Sequence, residues 1–120
     1  FTVTGFMART KNSDELNQET AKLSNLWQQF YASNPASNTT IFGVYSDYES
    51  DTKGHYNVTI GVANDKTGSG LDIIRVNSGD YLIFHGKGTM PETVIDTWGR
   101  VWEYFMEERP YQRCFETDFE

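Results

Sequence analysis

The order of strand and helix patterns restricts the fold of this chain more than any other feature. Strand, helix, strand and strand patterns are followed by strand, helix and strand patterns. The run YSDYE at 45–49 resembles FETDFE at 115–120, which indicates two copies of one unit, the second without its closing strand. We therefore expect an α+β fold and a further strand after residue 120 in the natural protein.

The strand patterns differ in strength. The clearest covers 55–62, where Tyr56, Val58, Ile60 and Val62 alternate with more polar residues, as in a strand with one apolar face. The turn residues SDTKG at 50–54 join it to a strand within 39–48, which predicts a hairpin. Further strands are predicted at 1–6, 71–76, 81–85 and 111–119, with a flexible segment at 64–70.

Two amphipathic helices are predicted. The first follows the polar residues Ser13 and Asp14, includes Leu16, has helical spacing from Leu23 to Tyr31, and should end before Asn34-Pro35. The second begins with a Thr89 and Glu92 capping box, has Pro91 in its first turn, and should stop by 109–110. Apolar side chains repeat on one face of this helix at Ile95, Trp98, Trp102 and Phe105.

Charge and composition restrict the partners. Ten Lys and Arg against 17 Asp and Glu give a net charge of −7, which disfavours nucleic acid and anionic membranes and suits a cationic ligand or simple solubility. Three Trp, seven Tyr and eight Phe predict an aromatic core and an aromatic pocket. The single Cys114 favours a reducing compartment, and we expect a cytoplasmic protein without a membrane span.

The tryptophans Trp27, Trp98 and Trp102 lie on the inner faces of the predicted helices. Such rings usually fill a core, but three indoles in one small core favour a pocket for a flat ligand. Glu103 lies next to Trp102 at the margin of the apolar face, where its carboxylate could reach a cation held against indole rings. The alternative for Glu103 is an ordinary solvated carboxylate.

Catalytic motifs are weak in this sequence. His55 and His85 have no second His or Cys at metal-ligand spacing, so we expect neither a metal nor a cofactor. No nucleophile elbow, phosphate loop or dinucleotide fingerprint occurs, and we favour binding over catalysis. Hydrolysis by a carboxylate and a tyrosine stays open, because sequence spacing does not reveal such a pair.

Several blocks together resemble the GyrI-like effector-binding domains of Rob-type and BmrR-type regulators. They cover nearly the whole chain in the expected order: FTVTG (1–5), LW (26–27), GVYSDY (43–48), GDYLIF with the following glycine (79–86), the helix 98–102, and DFE (118–120). Since no helix-turn-helix is present, the chain is similar to the stand-alone members, such as proteins encoded on integron gene cassettes.

The resemblance implies one domain over 1–120, with two pseudo-symmetric βαββ halves, about 1–64 and 70–120, that form an antiparallel sheet, two helices and a central groove. It implies that a drug-like, cationic aromatic molecule binds in that groove, in a stand-alone sensor or sequestering module. Hydrolysis of electrophilic toxins and a gyrase-inhibitor-like protein-binding role are alternatives, and a homodimer or a regulatory protein partner stays open. The predicted ligand contacts are Trp27, Tyr45, Tyr81, Phe84, Trp98, Trp102 and Glu103.

One departure from the family concerns the acidic residue that meets the ligand's charge. In the multidrug-binding members it lies on a closing strand with an acid-apolar-aromatic-apolar-Pro pattern, which this sequence does not contain. Either a glutamate after residue 120, or Glu103 or another carboxylate, would have to take its place.

Overall fold

The structure is a computed structural model that describes residues 1–33, 40–63, 71–89 and 92–120. They form two compact units, the first of Phe1–Ser78 with Phe115–Glu120 and the second of Gly79–Cys114. The first unit holds an antiparallel sheet and two helices, and the second holds one helix. This architecture confirms the predicted α+β class.

A long hairpin forms the centre of the sheet. Strands β2 (Ile41–Ser46) and β3 (His55–Ala63) pair through the turn predicted at 50–54, and β1 (Thr2–Lys11) pairs with the other side of β3. In the described part of the chain the strand order is β4-β1-β3-β2-β5, where β4 is Asp72–Arg75 and β5 is Thr117–Phe119. The hairpin prediction is therefore confirmed.

The first helical region is split into two helices. The short α1 spans Asn12–Glu15, and α2 spans Leu23–Ala32. The Glu15 carboxylate accepts hydrogen bonds from the backbone N–H groups of Lys22 and Leu23 at 3.0–3.2 Å, so it satisfies donors that a helix start leaves without partners. This cap sets the start of α2, and Leu16 stays outside the helix, 90% exposed.

The sheet buries apolar side chains on both faces. On the face covered by α2, the buried Leu26 and Phe30 pack against Tyr56, Val58 and Ile60. On the opposite face, Val3, Val44 and Val76 form a second cluster, with Phe42 and Ile74 at its border. The alternation read in 55–62 thus places every second residue of β3 under α2, as predicted.

The prediction of a strand at 81–85 is wrong. These residues form neither helix nor strand, and they lie against α3 (Glu92–Met106) instead of in the sheet. The Phe84 ring meets Tyr104 edge-on at 5.5 Å, and Arg100 donates a hydrogen bond to the His85 carbonyl at 2.5 Å. The backbone here is therefore held by a helix face, which sequence alternation does not distinguish from a neighbouring strand.

The predicted strand at 111–119 is much shorter in the structure, where only Thr117–Phe119 is extended and paired. Phe115 has a φ of 54°, in the left-handed region, which interrupts an extended chain just before β5. Three earlier predictions, the helix end at Asn34-Pro35, the segment 64–70 and the placement of Pro91, lie outside the described residues.

Candidate functional site

Strands β2 and β5 bring phenols and carboxylates together on the face of the sheet that carries α2. Tyr45 of β2 lies opposite Val58 of β3 on one side and opposite Asp118 of β5 on the other. Because side chains alternate along a strand, Asp118 and Glu120 project to the same face as Tyr45. We call Tyr45, Tyr48, Tyr56, Asp118 and Glu120 the tyrosine–carboxylate cluster.

Two phenol–carboxylate hydrogen bonds connect the cluster. Tyr45 Oη donates to Glu120 Oε1 at 3.0 Å, and Tyr48 Oη donates to Asp118 Oδ2 at 2.5 Å. The Tyr56 ring lies between them, with its centroid 5.8 Å from each of the other two rings. Both carboxylates are half-buried, so the charges lie beside aromatic rings and are only partly shielded from water.

Gly43 makes room for the Glu120 side chain. A Cβ at this position would lie 2.9 Å from Glu120 Oε1, closer than ordinary carbon–oxygen contact. The backbones of the two residues exchange hydrogen bonds of 3.0 and 2.8 Å, which fix Glu120 against β2. The carboxylate is thus placed by the sheet and not by a flexible tail.

The environment raises the pKa of two phenols. Burial raises the pKa of Tyr45 well above its usual value of 10.0, and the charge and hydrogen bond of Glu120 raise it further. Burial, with a smaller effect of the Glu15 charge, raises the pKa of Tyr56 to about 12. Both phenols are therefore neutral hydrogen-bond donors near neutral pH.

The seven predicted ligand contacts are divided between the two units. Trp27 and Tyr45 lie in the first unit, where both border the core cluster under α2. Trp27 stacks on Tyr31 with centroids 5.9 Å apart and meets Phe30 edge-on at 6.3 Å. The indole thus extends the aromatic margin of this face.

The other five predicted contacts lie in the second unit. They are Tyr81, Phe84, Trp98, Trp102 and Glu103. Within that unit the Arg113 guanidinium lies over the Trp98 ring at 5.7 Å, and Trp102 and Glu103 are exposed on α3. The common groove expected from the sequence stays a prediction.

Sequence reasoning did not single out Asp118, Glu120, Tyr48 and Tyr56 as site residues. The available signal was the resemblance of 115–120 to 45–49, because the two matching segments are those that meet in the structure. A shallow groove of the first unit lies between β1 and α2 beside Met7 and Leu26, and none of the predicted contacts lines it.

Comparison with known proteins identifies the family. A family model described as "Cass2: Integron-associated effector binding protein" matches residues 1–120. The chain belongs to this family. The match confirms the resemblance to effector-binding domains, and it supports a role in binding small molecules.

A solved structure and a bacterial relative agree with this assignment. The crystal structure of an integron cassette protein from the mobile metagenome of Vibrio cholerae is 37% identical, with a TM-score of 0.81, and the match covers 99% of this chain and 80% of that one. A Bacillus subtilis protein named as a transcriptional regulator, YobU, is 27% identical over 127 residues, 97% of this chain and 77% of that protein. In the described residues, no helix is both long and apolar enough to cross a bilayer.

Proposed function

We propose that this effector-binding protein binds drug-sized lipophilic cations at the tyrosine–carboxylate cluster. The observation that carries the proposal is the Glu120 carboxylate, which accepts a hydrogen bond from the Tyr45 hydroxyl at 3.0 Å within the tyrosine–carboxylate cluster. A cation beside such rings gains from their π faces, by about 2 kcal/mol when the contact is desolvated. The net charge of −7 favours the approach of the same ligands.

Hydrogen bonds from the phenols orient the carboxylates for ligand binding. A carboxylate has two oxygens and about four acceptor directions, so a single hydrogen bond from a phenol does not use all of its acceptor positions. The hydrogen bond also fixes the orientation of Glu120, which lowers the entropy lost when a ligand binds. Glu120 thus takes the place of the acidic residue that the family carries on its closing strand.

Trp27 extends the proposed binding surface along α2, because it borders the same core cluster as Tyr45. Tyr81, Phe84, Trp98, Trp102 and Glu103 stay proposed contacts from the second unit. A sensor or sequestering role in the cytoplasm fits a member of this effector-binding family. The relative named as a transcriptional regulator favours the sensor role.

The experiment compares two ligands of nearly the same shape and opposite charge, tetraphenylphosphonium and tetraphenylborate, by isothermal titration. We expect the cation to bind at least about tenfold more tightly than the anion. Glu120→Gln should weaken cation binding by about 5–30-fold, because a partly desolvated charge contact is lost. Glu19→Gln, an exposed carboxylate in the turn before α2, is the matched control and should change nothing. Equal affinities for the two ions, or an unchanged Glu120→Gln variant, would refute the proposal.

A second candidate is hydrolysis of strained electrophiles, which the Tyr45–Glu120 contact favours. A neutral phenol beside a carboxylate can donate a proton to the epoxide oxygen as its C–O bond breaks, while water forms the new C–O bond and gives a proton to the carboxylate, which then returns it to the phenolate. Incubation with a reactive epoxide such as styrene oxide, followed by chromatography of the diol, tests this candidate. Activity that survives Tyr45→Phe and Glu120→Gln would exclude the cluster as its source.

A further inference from the structure

Tyr56 differs from the other two phenols of the tyrosine–carboxylate cluster in the partner of its hydroxyl. Tyr45 and Tyr48 each donate a hydrogen bond to a carboxylate of the cluster. The Tyr56 hydroxyl instead donates at 2.7 Å to the side-chain oxygen of Asn12, the first residue of α1. This hydrogen bond connects the middle ring of the cluster to a separate element of the first unit.

The Asn12 side chain is fixed by two hydrogen bonds. Its Oδ1 accepts from Tyr56, and its Nδ2 donates at 2.9 Å to the Thr52 carbonyl, in the turn between β2 and β3. Because an amide accepts through its oxygen and donates through its nitrogen, these two partners give the group a single orientation. The position of the Tyr56 ring is therefore tied to α1 and to the hairpin turn together.

The last residue of α1 is the same Glu15 that caps α2. Besides the two backbone N–H groups at the start of α2, its carboxylate accepts a hydrogen bond from the Thr10 hydroxyl at 2.5 Å. Thr10 is fully buried and lies opposite Tyr56 in the pairing of β1 with β3. The two paired residues thus hold the two ends of α1, Tyr56 at Asn12 and Thr10 at Glu15.

Helix α1 is short enough to move as one body. Asn12 and Glu15 are separated by about 4.5 Å along the helix axis, which is less than one turn. Hydrogen bonds weaken steeply with distance and angle, so a shift of about 0.5–1 Å at Asn12 is enough to alter the cap that Glu15 makes. The Glu15 charge also raises the pKa of Tyr56, in agreement with their proximity.

We propose that Asn12 is a positioning residue of the ligand site, which holds Tyr56 in place and couples occupancy of the cluster to the cap at the start of α2. This coupling rests on the proposed function, because it needs a ligand at the cluster, whereas the connection itself exists without one. A cation on the Tyr56 ring restricts the ring, and through Asn12 and Glu15 it restricts the cap. All of these contacts lie within the first unit.

The first measurement needs no ligand. Hydrogen exchange of the backbone amides of Lys22 and Leu23, followed by NMR, reports on the cap, since Glu15 is their acceptor. Tyr56→Phe keeps the ring and removes the hydroxyl, and it should speed this exchange by about fivefold or more. The Ile60 amide, in the centre of the sheet, is the internal reference, because a general loss of stability would speed its exchange as well.

Substitutions of Asn12 separate positioning from a general effect. Asn12→Ala should speed the exchange as much as Tyr56→Phe, and the double variant should add nothing further, because both remove the same hydrogen bond. Asn12→Asp keeps an acceptor for the Tyr56 hydroxyl and loses only the donor to Thr52, so the exchange should stay within about twofold of the parent. Asn25→Ala, at an exposed asparagine of α2, is the matched control and should not speed it. Asn12→Ala decides the question if Tyr56→Phe does not fold, as judged by circular dichroism.

The second measurement adds tetraphenylphosphonium at a saturating concentration set by calorimetry. It should slow the exchange of Lys22 and Leu23 by about threefold or more in the parent but not in Asn12→Ala. Coupling between two sites is reciprocal, so Asn12→Ala should also weaken binding of the cation, by about threefold to tenfold. Asn12→Asp should retain both effects, which a variant that acts only on stability would not restore selectively.

The possible failures are distinct. Exchange of Lys22 and Leu23 that is equal in the parent and in Tyr56→Phe, or that rises no more than that of Ile60, overturns the connection through Asn12. Tight binding of the cation with unchanged exchange of the two amides overturns the coupling and leaves the proposed function intact. No binding of the cation at all overturns the proposed function and, with it, the role of Asn12 toward the ligand.

Discussion

Replacing Glu120 by Gln should weaken the contact with Tyr45 and lower the stability of the first unit. A hydrogen bond to a charged acceptor contributes about 1.5–3 kcal/mol, and partial exposure of both side chains reduces this range. Gln keeps an oxygen acceptor, so we expect a loss of about 1 kcal/mol in the free energy of unfolding. Urea denaturation of the parent, Glu120→Gln, Tyr45→Phe and the double variant isolates the pairwise energy.

The same substitution should lower the pKa of Tyr45. The charge and the hydrogen bond of Glu120 both raise this pKa, but burial raises it more, so the pKa should fall only part of the way toward 10. Titration of ¹³C-labelled tyrosine rings by NMR, with Tyr45→Phe for assignment, measures the change. Glu116→Gln, the exposed carboxylate just before β5, is the control. The reasoning is refuted if two results are found together. The first is that the losses in unfolding free energy of Glu120→Gln and Tyr45→Phe add up to that of the double variant within about 0.3 kcal/mol. The second is an unchanged pKa of Tyr45.

Three further predictions follow from the core and the sites. Since the pKa of Tyr56 is about 12 when folded and near 10 when unfolded, its stabilising contribution is complete below pH 10 and is lost between pH 10 and 12. In Tyr56→Phe the unfolding free energy should decrease by about 1–2 kcal/mol less across that window, as measured by denaturation at several pH values. An unchanged pH dependence would contradict a raised pKa of Tyr56. Phe30→Ala, at a site 4% exposed, should cost about 3–5 kcal/mol in urea denaturation, and a loss under about 1 kcal/mol would show that α2 does not hold the core. Glu103→Gln should lower tetraphenylphosphonium affinity about fivefold or more if this carboxylate meets the ligand, and calorimetry showing no change would leave Glu120 as the acidic contact.

The elements formed by local pattern could be predicted from the sequence. The alternation in 55–62 and the turn residues at 50–54 specify the central hairpin, because side chains two apart share a face and Gly54 and Asp51 favour a turn. The apolar spacing of Leu26 and Phe30 specifies the buried side of α2 in the same way. Family membership was also recoverable, because short blocks in the right order add to one another even though each is weak.

Elements that depend on distant partners could not be predicted. Residues 81–85 alternate like a strand but pack against α3, and the positive φ of Phe115 limits β5 to three residues. The first helix was expected to begin near Ser13, but the Glu15 side chain caps a helix that starts at Leu23. Residues 81–85 are thus decided by a contact with another element, whereas a backbone angle at Phe115 and a side-chain cap from Glu15 decide the other two.

Residue types and short-range spacing are sufficient to predict the fold class, the family, the aromatic composition and the negative charge. The tertiary structure is needed to know which carboxylate meets a phenol. Tyr45 and Glu120 are 75 residues apart, and their contact depends on antiparallel pairing of β2 with β5 and on the missing side chain of Gly43. Strand register is set by the burial of whole faces, so no property of either residue alone specifies the pair.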